Sequence, residues 1–377
     1  MSAPAVPAEL VERCDRLVAL LDSDPGNLSL LSATAEAALG CNRPDLAQQV
    51  LDRYAKDGPL PEREAGLAGL AAMQAGDFDA AIVHFRPLFE KHPGDLALRF
   101  NLAWSLAMKQ TFEEAIELLD SATADALPQA AALKVQLLHN EGEFEDAFAL
   151  GKELLTKHPG NRTLLASMSV LALDVEDTDV ARECADQAGD HPDAQTTLGI
   201  LALSTQDMAS ARAHFDKAIA VSPNAPRTLL GKGLVDLVAG DAPSAARGME
   251  QGAKVFGSHI GSWIAAGWAH LLANDLAASR RCFEAAYNLD DAFAESHGSL
   301  AVLDLIEGRV DQAKRRTEVA LRLDRESFSA AFAKACLAAG AGRPDVAQQI
   351  LQSAMTTPIG RGGYKIADAL ARLSFSH

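Results

Sequence analysis

Apolar side chains recur three and four residues apart along most of the chain, and short polar turns interrupt them. The turns include Gly76-Asp77-Phe78, Gly142-Glu143-Phe144, Gly240-Asp241, Gly308-Arg309 and Gly342-Arg343-Pro344. A period near 3.6 with such punctuation predicts amphipathic helices joined as hairpins. Glycine suits the left-handed end of a helix, and a following Asp can cap the next one.

A longer period overlies the helical one. Ala47, Ala81, Ala115, Ala147, Ala181, Ala211, Ala245, Ser279, Ala313 and Ala347 are separated by 34, 34, 32, 34, 30, 34, 34, 34 and 34 residues. Twelve residues before each stands Ala35, Gly69, Ala103, Val135, Ser169, Gly199, Gly233, Gly267, Ala301 or Ala335. Only Val135 is larger than Ser. Pro59, Pro93, Pro159 and Pro223 lie twelve residues after their alanines, and Pro25 keeps the phase. The small residue lets one helix approach another closely, and the alanine marks where they cross. Proline ends the second helix because it lacks an N–H and disfavours helical geometry in the residue before it. The two short intervals place deletions near 122–128 and 185–192, where a clipped second helix is expected.

These motifs resemble the tetratricopeptide repeat over nearly the whole chain. The best copies are Leu198-Gly199, Ala211, Phe215, Ala218 and Pro223; then Gly69, Ala81, Phe85 and Pro93; then Trp263, Gly267, Phe283 and Ala286. The resemblance implies an all-α, right-handed superhelical solenoid of about ten helix-turn-helix repeats. It is expected as a single domain: a disordered N-terminus at 1–6, a half-repeat at 7–27, repeats over 28–359 and a capping helix within 360–377. End repeats of a solenoid need such caps, because they otherwise expose an apolar face.

In this family the first helices line a concave groove. With the small residue as position 8, the resemblance places positions 2, 5, 9 and 12 in that groove. They include Leu70, Phe100, Trp104, Ile200, Arg227, Leu230, Leu234, Ile264, Trp268, Leu271 and Phe332. The set is strongly apolar, and contiguous apolar surface marks interaction sites. Two readings stand: a groove for an apolar or amphipathic protein segment, or side chains packed on neighbouring repeats. The family's clamp for a partner's C-terminal carboxylate is incomplete here. Asn101 matches its middle Asn, but Gln129 and Leu133 replace the required Lys and Arg.

Composition narrows the alternatives. Aromatic residues make up 5% of the 377, and 72 residues are Ala. That favours helices over strands. Asp and Glu number 51 against 34 Lys and Arg, a net charge of −17. Such a chain repels phosphates, so nucleic acid is not an expected partner. The N-terminus has no basic segment followed by an apolar one, and no window suggests membrane insertion, so a cytoplasmic location is expected. The Ala-rich, Lys-poor usage fits a bacterium of high genomic G+C content. Residues 309–377 run the other way, with 11 Lys and Arg against 6 Asp and Glu. Lys314, Arg315 and Arg316 form a basic patch there. It is either a solvated helix face or a contact for an acidic partner, including the acidic end of a second copy.

Chemistry-bearing motifs are scarce. Cys14, Cys41, Cys184, Cys282 and Cys336 form no CxxC pair, and the histidines form no HExxH. No metal, cofactor or catalytic residue is expected from the spacing. Asp236, His270 and Asp304 stand 34 residues apart at position 11, either as a stacked, pH-sensitive ladder or as satisfied polar contacts under a turn. The expected role is a non-enzymatic interaction scaffold. Alternatives are an assembly factor for a secretion, pilus or envelope-polysaccharide system, or a peptide or small-ligand sensor.

Overall fold

A computed structural model describes residues 7–356. The described residues form 22 α-helices and one 3₁₀ turn, with no strand among them. The capping helix expected within 360–377, and residues 1–6, lie outside the described residues.

Helix α1 (Ala8–Ser23) precedes a series of hairpins. They are α2 (Leu28–Gly40) with α3 (Pro44–Tyr54), α4 (Glu62–Ala75) with α5 (Phe78–Lys91), and α6 (Leu96–Met108) with the interrupted pair α7 (Phe112–Leu118) and α8 (Ser121–Ala126). Next come α9 (Pro128–Asn140) with α10 (Phe144–Lys157), α11 (Arg162–Asp174) with α12 (Thr178–Ala188), and α13 (Pro192–Ser204) with α14 (Met208–Val221). The last are α15 (Pro226–Val238) with α16 (Ala242–Phe256), α17 (Ile260–Leu272) with α18 (Leu276–Leu289), α19 (Ala294–Ile306) with α20 (Val310–Leu323), and α21 (Phe328–Gly340) with α22 (Pro344–Thr356). The described residues divide into two compact units that part after Thr197.

The spaced alanines explain the packing. Ala47, Ala81, Ala115, Ala147, Ala181, Ala211, Ala245, Ser279 and Ala313 have no exposed surface, and Ala347 keeps 7%. A bulkier side chain at any of these crossings would push two helices apart. In three hairpins the glycine twelve places earlier, Gly69, Gly199 or Gly267, faces a phenylalanine ring of its own hairpin. A Cβ on Gly69 would fall 2.5 Å from the Phe85 ring, and one on Gly267 would fall 2.3 Å from Phe283. Phe85, Phe215 and Phe283 are each at most 1% exposed.

Each hairpin turn uses the same backbone device. One residue passes through the left-handed region: Asn42, Gly76, Gln110, Gly142, Glu176, Gln206, Gly240, Asn274, Gly308 or Gly342, with φ between 55° and 83°. The next residue's N–H then reaches back to a carbonyl of the first helix, as from Asp77 to Ala72, Asp241 to Asp236, Asp275 to His270 and Arg309 to Asp304, at 2.7–2.9 Å. This pairing satisfies helix-end carbonyls. Asp77, Asp177, Asp207, Asp241 and Asp275 then cap the second helix, each accepting the N–H three residues on at 2.9–3.1 Å.

The two short intervals appear as altered second helices. α7 stops after seven residues and α8 restarts beyond a buried Leu119. α12 runs for eleven residues and stops at Gly189. Prolines follow the ends of α1, α5, α10 and α14 at Pro25, Pro93, Pro159 and Pro223.

Candidate functional site

The candidate groove residues divide by exposure. In the first unit Leu70 and Phe100 are half-buried against the cluster of Phe85, Leu102 and Leu133. Asn101 is half-buried, and its carbonyl accepts the Ser105 hydroxyl at 2.8 Å. Trp104 is exposed, 36%, with its ring tilted on Phe100 at 6.1 Å. Together with Met108, Phe112, Leu133 and Leu137 it lines a cleft of about 230 Å³.

In the second unit most of the candidates are tied inward. Ile200 packs beside Phe215 and Val235. Leu230 packs beside Met249. Ile264 and Leu271 join Phe283 and Leu300. Trp268 sits edge-on to Phe283 at 5.8 Å and to Phe332 at 6.1 Å, and its indole N–H donates to Ser299 Oγ at 3.1 Å. Trp268 and Phe332 thus bridge helices. Arg227 is half-buried at the start of α15, and Leu234 is 48% exposed.

A row missed in the sequence lies beside them. Position 13, the last residue of the first helix, is Val238 on α15, Leu272 on α17 and Ile306 on α19, 34 residues apart and 49%, 65% and 52% exposed. Met108 holds the same position on α6 and is 47% exposed. Burying such side chains on a partner yields about 25 cal/mol per Å² of apolar area. The signal was available as large apolar residues at the 34-residue period, but their place next to the polar turn reads as helix end.

Each of the three position-11 residues is held by its own partners. Asp236, with 8% side-chain exposure, accepts from Arg212 of α14 at 2.9 Å and from Lys232 at 2.9 Å. His270 bonds Glu250 of α16 through Nε2 at 2.7 Å. Asp304 has no exposed surface and meets Arg280 of α18 at 2.8 Å, Arg309 at 2.9 Å and Arg316 at 3.1 Å. Burial pushes its carboxyl up, against the pull of Arg280 and Arg316. Every one of these nodes therefore links a second helix to the first helix that follows it.

The basic patch separates. Lys314 and Arg315 point outward, whereas Arg316 turns in to Asp304 with its guanidinium 5.9 Å from the Tyr287 ring. Lys314 shares a cleft of about 370 Å³ with Arg322 and Lys334. A cleft of about 340 Å³ lies between α10 and α12 and includes Leu155, Val180 and Cys184. Both clefts are lined mainly by second-helix residues, and neither lining includes a position-13 residue.

The structure also brings together three groups that the spacing kept apart. Glu250, His270 and Cys282 place one potential ligand atom each within 4.8 Å of one another. Burial raises the Glu250 carboxyl, but hydrogen bonds from Lys254 and His270 outweigh it and hold the group below the usual carboxylate range. Burial, then the Glu250 carboxylate, pushes the Cys282 thiol up to about 12. No helix among the described residues is long and apolar enough to cross a membrane.

Comparison with known proteins agrees with the repeat pattern. Tetratricopeptide-repeat family models match residues 72–137, 168–226 and 196–257. No curated protein matches the chain. Among solved structures, a chain of the APC/C hetero-tetramer Cut9-Hcn1 is similar with a TM-score of 0.57 at 13% identity, covering 92% of this chain and 67% of that one. The human IFIT1 dimer with m7Gppp-AAAA is similar with a TM-score of 0.52 at 10% identity, covering 94% and 95%. At these identities the likeness speaks to fold: helix hairpins stacked as an all-α solenoid. By its repeat period, its helix-crossing alanines and these matches, the chain belongs to the tetratricopeptide-repeat family.

Proposed function

We propose that the chain is a non-catalytic scaffold that receives an apolar or amphipathic protein segment on the exposed ends of its first helices. Tetratricopeptide repeats are protein-interaction modules, and that general role comes with the family. The observation that supports the finer reading is the row of Val238, Leu272 and Ile306, with Leu234 beside it. A water-facing surface gains nothing from three large aliphatic residues repeated at one register, whereas a partner helix can cover them with its own i, i+3, i+4 and i+7 anchors. Trp104 and Met108 offer a second contact in the first unit, and tryptophan is a common interface anchor. In this reading each unit offers its own repeats to a partner, and the half-repeat at 7–27 precedes those of the first unit.

Selection from a displayed library of amphipathic helical peptides tests the proposal. Enriched peptides should protect the backbone amides at the C-terminal ends of α15, α17 and α19 from hydrogen exchange. Protection confined to second helices, or no enrichment over the library background, would remove the support for this site.

A further inference from the structure

Glu250, His270 and Cys282 come from three consecutive helices, α16, α17 and α18, and their ligand atoms lie within 4.8 Å of one another. Cys282 is 1% and His270 7% exposed, while Glu250 keeps an opening to solvent at 19% of its side chain. The sequence separations of 20 and 12 fit no ligand motif, which is why the group is invisible before folding.

The repeat register shows what is unusual here. One repeat earlier the same three positions hold Asp216, Asp236 and Gly248; one repeat later they hold Glu284, Asp304 and Arg316. In both neighbours the position-11 carboxylate is met by protein cations: Arg212 and Lys232 on Asp236, and Arg280, Arg309 and Arg316 on Asp304. In the middle repeat Ala246 stands where Arg212 and Arg280 stand, Ala266 where Lys232 stands, and Cys282 where Arg316 stands. Here an imidazole replaces the position-11 carboxylate, alanines replace two of the cations and a thiol replaces a third, with the Glu250 carboxylate beside them. Lys254 binds Glu250 Oε1 at 2.7 Å, so Oε2 is the oxygen turned to His270.

We infer that Glu250, His270 and Cys282 form a site for a divalent, thiol-seeking metal ion, Zn²⁺ foremost, with water as the fourth ligand. Thiolate, imidazole and carboxylate together suit Zn²⁺ and not the oxygen-seeking Mg²⁺ or Ca²⁺. Bond lengths of about 2.0–2.3 Å require ligand atoms roughly 3.3–3.8 Å apart, so a pair at the 4.8 Å limit would close by about 1–1.5 Å, while Glu250 Oε2 and His270 Nε2, 2.7 Å apart, open slightly to admit the ion. The charge balance is simple. The Cys282 S–H bond breaks, its proton leaves to solvent, and the sulfur lone pair binds the metal. The imidazole proton moves from Nε2 to Nδ1, which opens Nε2 to the ion. The bound ion ties two hairpins together where the neighbouring repeats use arginine.

The test is a Co²⁺ titration of the metal-free full-length chain, followed by Zn²⁺ competition. A thiolate-to-cobalt charge-transfer band in the near ultraviolet, saturating at one equivalent and bleached by Zn²⁺, is the expected result. The band should vanish in Cys282→Ser and survive in Cys336→Ser. Glu250→Gln, at a partly exposed position, should weaken Co²⁺ binding by about 10-fold or more. Absence of the band in the parent chain, or its survival in Cys282→Ser, overturns the site. If Cys282→Ser loses helicity, Glu250→Gln decides: unchanged Co²⁺ affinity there overturns it equally.

Discussion

Gly298 shows how little room a single position leaves. A Cβ there would fall 2.5 Å from the Ala330 backbone nitrogen and 2.7 Å from the Ser329 carbonyl carbon, and backbone cannot swing aside as a side chain can. Gly298→Ala should therefore cost about 2–3 kcal/mol by forced repacking, read as a lower urea midpoint with unchanged slope. The turn residues give the opposite sign. Gln110, Glu176 and Gln206 sit at φ 61°, 63° and 64°, where an L-residue is strained by about 1–2 kcal/mol. Gln206→Gly should raise stability by up to about 1 kcal/mol in the same assay, provided its backbone geometry is kept. The sequence made the glycine turns legible, because Gly76, Gly142, Gly240, Gly308 and Gly342 announce a left-handed residue. It hid the others, because nothing in a Gln or Glu side chain signals that conformation; only the register does.

At the scale of the element, the broken second helix is the informative one. α7 ends at Leu118, and Asp120 restarts the chain as the N-cap of α8. Asp120 accepts the Thr123 N–H at 2.8 Å and its hydroxyl at 2.6 Å, and Arg99 pairs with its other oxygen. These Thr123 bonds, with Arg99 behind them, lower its carboxyl to about 2. The folded value lies below the ordinary one, so the contribution is complete above about pH 4 and is lost as pH falls towards 2. Asp120→Ala should cost about 1 kcal/mol at pH 7 and progressively less below pH 4, with the two melting curves converging near pH 2. The deletion was readable from the shortened interval. The break itself was not, because an Asp inside an amphipathic stretch looks like an exposed helical residue until its cap is formed. The link between elements is testable at Asp304, which gathers three arginines with no exposed surface of its own. Asp304→Ala should destabilise the chain by about 3 kcal/mol, because it leaves partly buried guanidiniums without their shared carboxylate.

At the scale of the molecule, periodicity carried most of the fold into view. The repeat spacing marks nine alanines and Ser279, and the structure covers nine of these ten positions completely. The site was less legible. A register borrowed from the family placed Trp268 and Phe332 in a groove, but both are also used to join helices, since a side chain at position 5 or 9 can serve either purpose. Position 13 was overlooked because it lies at a helix end. Glu250, His270 and Cys282 were overlooked because only stacking brings residues 20 and 12 apart into one place.

The central claim is that the exposed aliphatic row of the second unit receives a partner segment. Its most direct test is fluorescence anisotropy of a selected amphipathic peptide against the parent chain and the Leu272→Glu/Ile306→Glu variant. Both substituted positions are more than half exposed, so the melting temperature should hold within about 2 °C. The account predicts at least about 30-fold weaker binding, the loss of roughly 2 kcal/mol of apolar contact. Equal affinity in a variant that melts with the parent chain would contradict it.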